Sequence, residues 1–278
     1  MPLPVSPSAW LPIFRGIAAE VRLGIAPLVG TPRGQEVVGR GAGGDRTVYL
    51  DAIAEGIVLR HLETAYRSGL RFRLLSEELG ARDFGGSDLV LVDPLDGSLN
   101  AKFGVPYYAI TLAVSAGDRL KDVRVAFVVN LVSQEEFSAE LGQGAFRNET
   151  RLHAAGGWSN GRFGIVQVDA PHPLDALDRV RAVLARADRL RILGSAALNL
   201  CHTATGGIAV QLAPLPVRTF DLAGPLLILS EAGGLATTLE GGPLDDLSSG
   251  LTTRSTLLAA GSPKVHADAL RLLSAAAA

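Results

Sequence analysis

The residues able to do chemistry lie in three short acidic segments. In LVLVDPLDGSLN, residues 89–100, an apolar run delivers Asp93 to its end, Pro94 fixes a bend, and Asp96-Gly97-Ser98 turns tightly enough for backbone to approach a ligand. Two carboxylates three residues apart across a proline can point to one side, with the carbonyl of Leu95 between them. The SLNAKF that follows can start a short helix whose free N–H groups favour an anion. SEELG, residues 76–80, sets Glu77 and Glu78 directly after a strand, and TFDLAGPLLILSEAGG, residues 219–234, sets Asp221 at the start of an apolar helix. Taken singly, each has a plainer reading: aspartates capping turns, a solvated helix start, an ordinary N-cap.

Together these groups predict a metal site. Four carboxylates sharing a cleft repel one another and would protonate or splay unless divalent cations sat among them. The single cysteine, Cys201, and five scattered histidines offer no zinc pattern, so the ligands are oxygens. Mg²⁺ takes oxygen ligands at roughly 2.0–2.1 Å and keeps several waters. One such water becomes a nucleophile as its pKa falls, and a second ion stabilises the leaving alkoxide of an in-line displacement at phosphorus. No covalent enzyme intermediate is required. The adjacent Cys201 and His202 suggest a nucleophile and base, but helix neighbours point about 100° apart, and ordinary packing is expected.

In this order and spacing, the segments resemble the signatures of the inositol monophosphatase superfamily, (G/S)EE, DP(I/L)DG(T/S) and WDxAxxxxxxxEAGG. The likeness extends to GSAALNLCHTATGG at 194–207. Within the superfamily, DPLDGSLNAKFGVPYYAITLAV and VVNLVSQEEFSAELGQGAF most resemble the archaeal-type dual inositol monophosphatase/fructose-1,6-bisphosphatase branch.

The resemblance implies that Glu77, Asp93, the Leu95 carbonyl, Asp96 and Asp221 ligate two or three Mg²⁺ ions. It implies that Ser98, where the family usually has Thr, orients the attacking water, and that the N–H groups of Gly97 and Ser98 hold the phosphate. Asp51 matches a carboxylate near the more weakly bound metal; its plainer role is a solvated acidic pair with Glu55. Substrate hydroxyls would meet Ser195, Ala196 and the stretch 208–220. Animal-type members carry an acidic residue in that stretch, and none lies between Ile208 and Phe220 here, which argues against strict inositol specificity. Arg191 and Arg218 are expected at a second, distal phosphate or, failing that, at the surface. The glycine-rich segment offers Arg33 and Arg40 where some members have a lysine.

The elements that must position these residues are legible in the periodicity. Trp10, Ile13, Phe14, Ile17, Val21 and Ile25 predict an amphipathic helix over 10–28. Residues 30–47 hold six glycines and a proline and read as a long mobile loop. A second helix is expected from an N-cap at Thr47 to about Ser68. Apolar or alternating runs at 71–76, 88–93, 107–117, 123–131 and 135–141 predict an antiparallel sheet, with a hairpin near 141–151. Mixed α/β follows: strands at 161–169, 189–193 and 257–261, helices near 173–187, 195–205 and 221–232. Pro225 would fall in the first turn of the last of these helices. The terminal alanines read as low complexity.

Composition excludes other classes. With 278 residues, 47% of them hydrophobic, the chain can bury a large core. A net charge of -2 without a basic stripe argues against nucleic acid as partner. No apolar run approaches a membrane span, and the start lacks the pattern of a signal peptide, so a cytoplasmic protein is expected. The expected fold is the layered α/β/α/β/α sugar phosphatase, with an N-terminal α+β part over 1–145 and a C-terminal α/β part over 146–278. The expected activity is Mg²⁺-dependent hydrolysis of a small-molecule phosphate ester, myo-inositol 1-phosphate or fructose 1,6-bisphosphate or both, by a protein whose family is commonly dimeric. A 3′-phosphoadenosine nucleotide or histidinol phosphate is the alternative substrate. A regulatory protein of the same fold is the alternative class, and loss of a carboxylate would be its mark.

Overall fold

The computed structural model describes residues 9–44, 46–154 and 158–277. Helix α1, Trp10–Ile25, buries Trp10, Phe14, Ile17, Val21 and Ile25, the stripe its spacing predicts. The segment after it, expected as a long loop, carries short elements of its own. A single 3₁₀ turn leads to a short hairpin of β1, Val37–Arg40, and β2, Arg46–Val48. Helix α2, Tyr49–Arg67, begins one residue later than expected, at an N-cap on Val48. The cap side chain is apolar, and Oδ2 of Asp51 instead accepts from the Val48 N–H at 3.1 Å.

The first sheet then forms from β3, Arg73–Ser76; β4, Gly80–Asp83; β5, Leu89–Asp96; and, after the five-residue α3, Ser98–Lys102, from β6, Ala109–Ser115. It continues with β7, Val123–Asn130; β8, Glu136–Glu140; β9, Gly144–Arg147; and β10, Thr150–Arg151. Its order is β10-β9-β8-β7-β6-β5-β3-β4. All neighbours are antiparallel except β3 and β5, which run parallel. Both faces of β5 are covered. Val90 and Val92 pack toward α1 and α2, whereas Leu89 and Leu91 belong to the core on the opposite face.

The second half adds β11, Trp158–Ser159; β12, Arg162–Val168; α4, Pro173–Arg179; α5, Arg181–Leu184; β13, Ala187–Arg191; α6, Ala196–Ala204; β14, Val210–Arg218; α7, Thr219–Glu231; β15, Leu235–Thr237; β16, Arg254–Ala260; and α8, Pro263–Ala277. In the second sheet β12 runs parallel to both β13 and β14, while β16 runs antiparallel to β14 and β15. Three departures from expectation have physical causes. The helix expected over 173–187 breaks at Val180 into α4 and α5. Strand β14 was hidden by Pro214 and Pro216, which strands admit only at irregular places; the register slips between Ala213 and Val217. The alanine-rich end is a helix because Val265, Ala269 and Leu273 recur every fourth residue and bury.

Three apolar clusters make the layering explicit. One lies between α1–α2 and the first sheet, one between that sheet and α6–α7, and one between the second sheet and α4, α5 and α8. This is the α/β/α/β/α architecture. Helix α7, apolar nearly all round, is enclosed between the sheets, as such a helix must be. Among the described residues no helix is long and apolar enough to cross a membrane.

Candidate metal centre

The two aspartates of DPLDG share a face because β5 is bulged. Along a regular strand, residues three apart point to opposite sides. Here Asp93 opposes Thr111 and Asp96 opposes Ala109, so three steps on β5 match two on β6, and the extra residue brings both carboxylates to one side. The Leu95 N–H donates to Asp93 Oδ1 at 2.9 Å, closing the bend that Pro94 begins. Gly97 completes the turn at φ 84°, and a Cβ there would lie 3.1 Å from the carbonyl oxygens of both Gly194 and Tyr107. Glycine alone meets both demands.

Glu77 and Glu78 occupy the tight turn joining antiparallel β3 and β4, not a helix start. Asp221 stands in the first turn of α7, which begins at Thr219, earlier than expected; Arg218 holds the N-cap position. Pro225 is therefore inside the helix, and lacking an N–H it cannot bond the Asp221 carbonyl four residues back. The three elements converge so that one carboxylate oxygen each from Glu77, Asp93 and Asp221 lie within 4.8 Å of one another. Asp51, Leu95, Ser98 and Lys102 line the same cavity, of about 320 Å³, with Arg46 and Arg218. Asp51 is buried, so the solvated pairing with Glu55 does not hold; Lys102 Nζ lies 3.7 Å from its Oδ2.

Asp96 sits beside this trio with Oδ2 already engaged: the Ser195 hydroxyl and the Ala197 N–H, the latter at 3.0 Å, both donate to it. Ser195 is buried, and its Oγ also caps α6 by accepting from Leu198 N–H at 3.3 Å. Ala196 opens α6, half-buried. The two arginines part company. Arg191 is exposed on the edge strand β13 and does not line the cavity. Arg218 lies inside the acidic cluster, Nη1 2.6 Å from Glu77 Oε1 and Nε 2.9 Å from Asp221 Oδ2. Cys201 is fully buried in α6, and His202 approaches Glu135 at 3.8 Å, which is packing and not a nucleophile pair.

The electrostatics are those of a site built for cations. Burial, with repulsion from Glu77, Asp96 and Asp221, pushes the Asp93 carboxyl well above its usual range, although Arg218 opposes this. Burial raises Asp96 to about 6 against the hydrogen bond from Ser195, and raises Asp221 to about 7 against the attraction of Arg218. Burial would lower the Arg218 guanidinium, but Asp221, Glu77 and Asp93 outweigh it and the net shift is upward. Oδ1 of Asp51 and Oδ1 of Asp221 are buried without a hydrogen-bond partner. Orphaned carboxylate oxygens within a cluster of converging carboxylates, a hard all-oxygen donor set, fit a divalent cation.

Sequence reasoning missed several neighbours of the site. Lys102 and Arg46 are chemically unmarked until folding brings them to the cavity wall. Glu55 is buried behind Glu78, held by the Ser76 hydroxyl at 2.6 Å and pushed by burial to about 7. Its spacing four residues after Asp51 was visible; its burial was not. The hairpin tip docks on the β3–β4 turn, where Gly43 N–H donates to the Glu77 carbonyl at 2.8 Å.

The five-layered fold and the converging carboxylates agree with what comparisons with known proteins show, a phosphoric monoester hydrolase. The chain belongs to the inositol monophosphatase family, whose model matches residues 15–276. It is 32% identical over 276 residues to a fructose-1,6-bisphosphatase/inositol-1-monophosphatase of Methanothermobacter thermautotrophicus, covering 95% of this chain and 96% of that one. A protein of the same description from Archaeoglobus fulgidus is 33% identical over 268 residues, covering 95% and 97%. Among solved structures, an inositol monophosphatase-fructose 1,6-bisphosphatase superposes with a TM-score of 0.81 at 28% identity, covering 95% of this chain and 99% of that one. A Pyrococcus horikoshii protein described as having similarities to inositol-1 monophosphatase shares the fold, with a TM-score of 0.80 at 24% identity over 96% and 98% of the two chains.

Proposed function

We propose that this protein is a Mg²⁺-dependent phosphomonoesterase acting on a small sugar or cyclitol phosphate, myo-inositol 1-phosphate, fructose 1,6-bisphosphate or both. The observation that carries the reading is the convergence of Glu77, Asp93 and Asp221 within 4.8 Å at a polar cavity. In this reading Glu77, Asp93, the Leu95 carbonyl, Asp96 and Asp221 hold two or three ions, with Asp51 at the weakest site. Bound there, Mg²⁺ supplies Lewis-acid polarisation of the phosphoryl oxygens and a water of lowered pKa. The Ser98 hydroxyl orients the attacking water, and the N–H groups of Gly97 and Ser98 hold the phosphoryl oxygens in line. Ser195 fixes Asp96, and Ala196 faces the sugar.

The same reading takes the N-terminal part to about residue 145 and the C-terminal part from 146 as two units sharing one site, Glu77, Asp93 and Asp96 coming from the first and Asp221 from the second. It takes the protein as a homodimer, supported by Leu99 and Phe103, each 66% exposed beside the cavity-lining α3. It takes the protein as cytoplasmic, where such phosphorylated metabolites occur. The presence of every carboxylate supports an enzyme over a regulatory relative.

The test is phosphate release from fructose 1,6-bisphosphate and myo-inositol 1-phosphate, side by side, with Mg²⁺ and with chelator. Mg²⁺-dependent release from either is expected, and their ratio decides the substrate. Activity that survives chelation of all divalent ions overturns the mechanism. Activity confined to nucleotide or histidinol phosphates overturns the substrate class.

A further inference from the structure

At the carboxyl end of β12, a carboxylate outside the metal centre is held in an arrangement that serves no ion pair. Asp169 follows Val168, which pairs with Leu212 of parallel β14, and the Asp169 N–H donates to the Leu212 carbonyl at 2.8 Å. Its Oδ1 accepts from Asn199 Nδ2 at 3.1 Å and from Gln167 Nε2 at 3.5 Å, and its Oδ2 accepts from Gln211 Nε2 at 3.1 Å. All three donors are neutral amides. Gln167 and Gln211 are fully buried, and each leaves its own Oε1 buried without a partner; the Gln211 amide serves Asp169, and the Gln167 amide is shared between Asp169 and the Val168 carbonyl at 3.1 Å. Two interior glutamines thus leave acceptors unpaired while their amides help orient one carboxylate, an arrangement that a merely structural aspartate does not require. Asp169 itself is only half-buried. A carboxylate has about four acceptor positions, of which three are used, two on Oδ1 and one on Oδ2.

The position adjoins the DPLDG turn through Asn199 and Tyr107. Carboxyl ends of parallel strands are where α/β sheets bind ligands. Asn199 lies one helical turn after Ser195 on α6, and Ser195 holds Asp96. Tyr107, whose hydroxyl donates to Asn199 Oδ1 at 3.0 Å, shares with Gly97 and Gly194 the crowded turn at the phosphate end. Asp96 and Asp169 lie near enough that the charge of Asp169 contributes to the upward shift of Asp96. The stretch 208–220 carries no acidic residue, yet Asp169 stands beside its Leu212 on the adjoining strand.

We infer that Asp169 is the hydroxyl-accepting residue of the substrate site, receiving a ring or chain O–H of a polyol phosphate whose phosphoryl group lies at Asp93 and Asp96. The inference rests on the phosphatase reading above and refines its substrate class. An anionic acceptor clamped by neutral amides binds a hydroxyl donor and repels a second phosphate, so the preferred substrate presents a hydroxylated, uncharged end here.

The experiment compares wild-type protein with Asp169→Asn on two substrates in the same Mg²⁺ buffer: myo-inositol 1-phosphate, and phenyl phosphate, which has no hydroxyl to offer. The ratio of kcat/KM for the polyol to that for phenyl phosphate is expected to fall about tenfold or more in the variant, mostly through KM. A ratio unchanged within about twofold, whether both activities fall together or neither moves, overturns the inference. Should the asparagine variant fail to fold, Asp169→Ser retains an oxygen for the amides, removes the charge and carries the same comparison. Absence of wild-type turnover on both substrates counts against the metal-centre reading instead. Calorimetric binding of myo-inositol 1-phosphate to both proteins then decides the role of Asp169 without turnover: weaker binding by the variant supports it, and equal binding overturns it.

Discussion

The hydroxyl of Ser195 donates to Oδ2 of Asp96 across 99 positions of sequence and, with the Ala197 N–H, fixes the second aspartate of DPLDG from the opposite half of the chain. The residue therefore couples the start of α6 to the DPLDG turn. Ser195→Ala should lose one donor to Asp96 and the side-chain cap of α6 together. Groups that orient ligands in this way are typically worth 10–100-fold, about that much, in metal affinity or activity. The lost cap costs about 1 kcal/mol of stability. Calorimetric metal titration and thermal melts separate the two effects; unchanged metal affinity with a lowered melting temperature would reduce Ser195 to a cap.

Asp93→Asn should trade activity for stability. Asp93 is buried among Glu77, Asp96 and Asp221, all of which disfavour its charge. The amide removes the repulsion and weakens the metal site. Hydrolysis is expected to fall by about three orders of magnitude or more, while the chelated protein at pH 8 melts no lower than wild type. Retained turnover would remove Asp93 from the site.

Gly97→Ala tests the turn. The new methyl would meet two carbonyl oxygens at 3.1 Å in a left-handed backbone conformation, so destabilisation of about 1–3 kcal/mol is expected. Because the strain is released by moving the Asp96–Ser98 segment, kcat should fall with it. Denaturant melts paired with initial rates check the coupling.

Glu55→Gln tests the buried carboxyl behind Glu78. Burial raises Glu55 from 4.5 to about 7, so the folded metal-free protein binds a proton that the unfolded chain releases between those values. Its contribution to stability is present below pH 4.5 and is lost as pH rises through about 7. Glutamine imitates the neutral form. The chelated variant should match wild type near pH 4 and exceed it by roughly 3 kcal/mol at pH 8.5. Equal denaturant midpoints at both pH values would refute the assignment.

Metal affinity should weaken as pH falls below about 7, since Asp221, pushed to about 7, and Asp96, pushed to about 6, must shed protons to act as ligands. The slope is about tenfold per pH unit for each proton displaced. Isothermal titration at pH 5.5, 6.5 and 7.5 in buffers of differing ionisation enthalpy measures both the affinity and the proton count. A flat profile would mean that the cluster is already ionised without metal.

Much of the site was legible because its demands are local. Pro94 and Gly97 are required by a bend and a left-handed turn, so the DPLDGS segment announces its own conformation. The short apolar or alternating runs of β5 to β8 likewise report a sheet without reference to anything distant. Where reading failed, a local rule met a tertiary exception: prolines at 214 and 216 concealed β14, and alanines concealed the one-in-four apolar spacing of α8. The expected start of α2 at Thr47 failed because Asp51, from within the helix, supplies the cap to Val48.

Composition, apolar period and the acidic motifs were enough to determine an α/β chain and to single out Glu77, Asp93, Asp96 and Asp221 as candidate cation ligands. Those properties follow from side-chain type and from separations of a few residues. Only the folded chain decided that a bulge turns Asp93 and Asp96 to one face, that Arg218 lies between Glu77 and Asp221, and that three amides gather around Asp169. Each depends on strand register or on contacts between elements far apart in the chain, and a shift of one residue along a strand reverses every side chain on it.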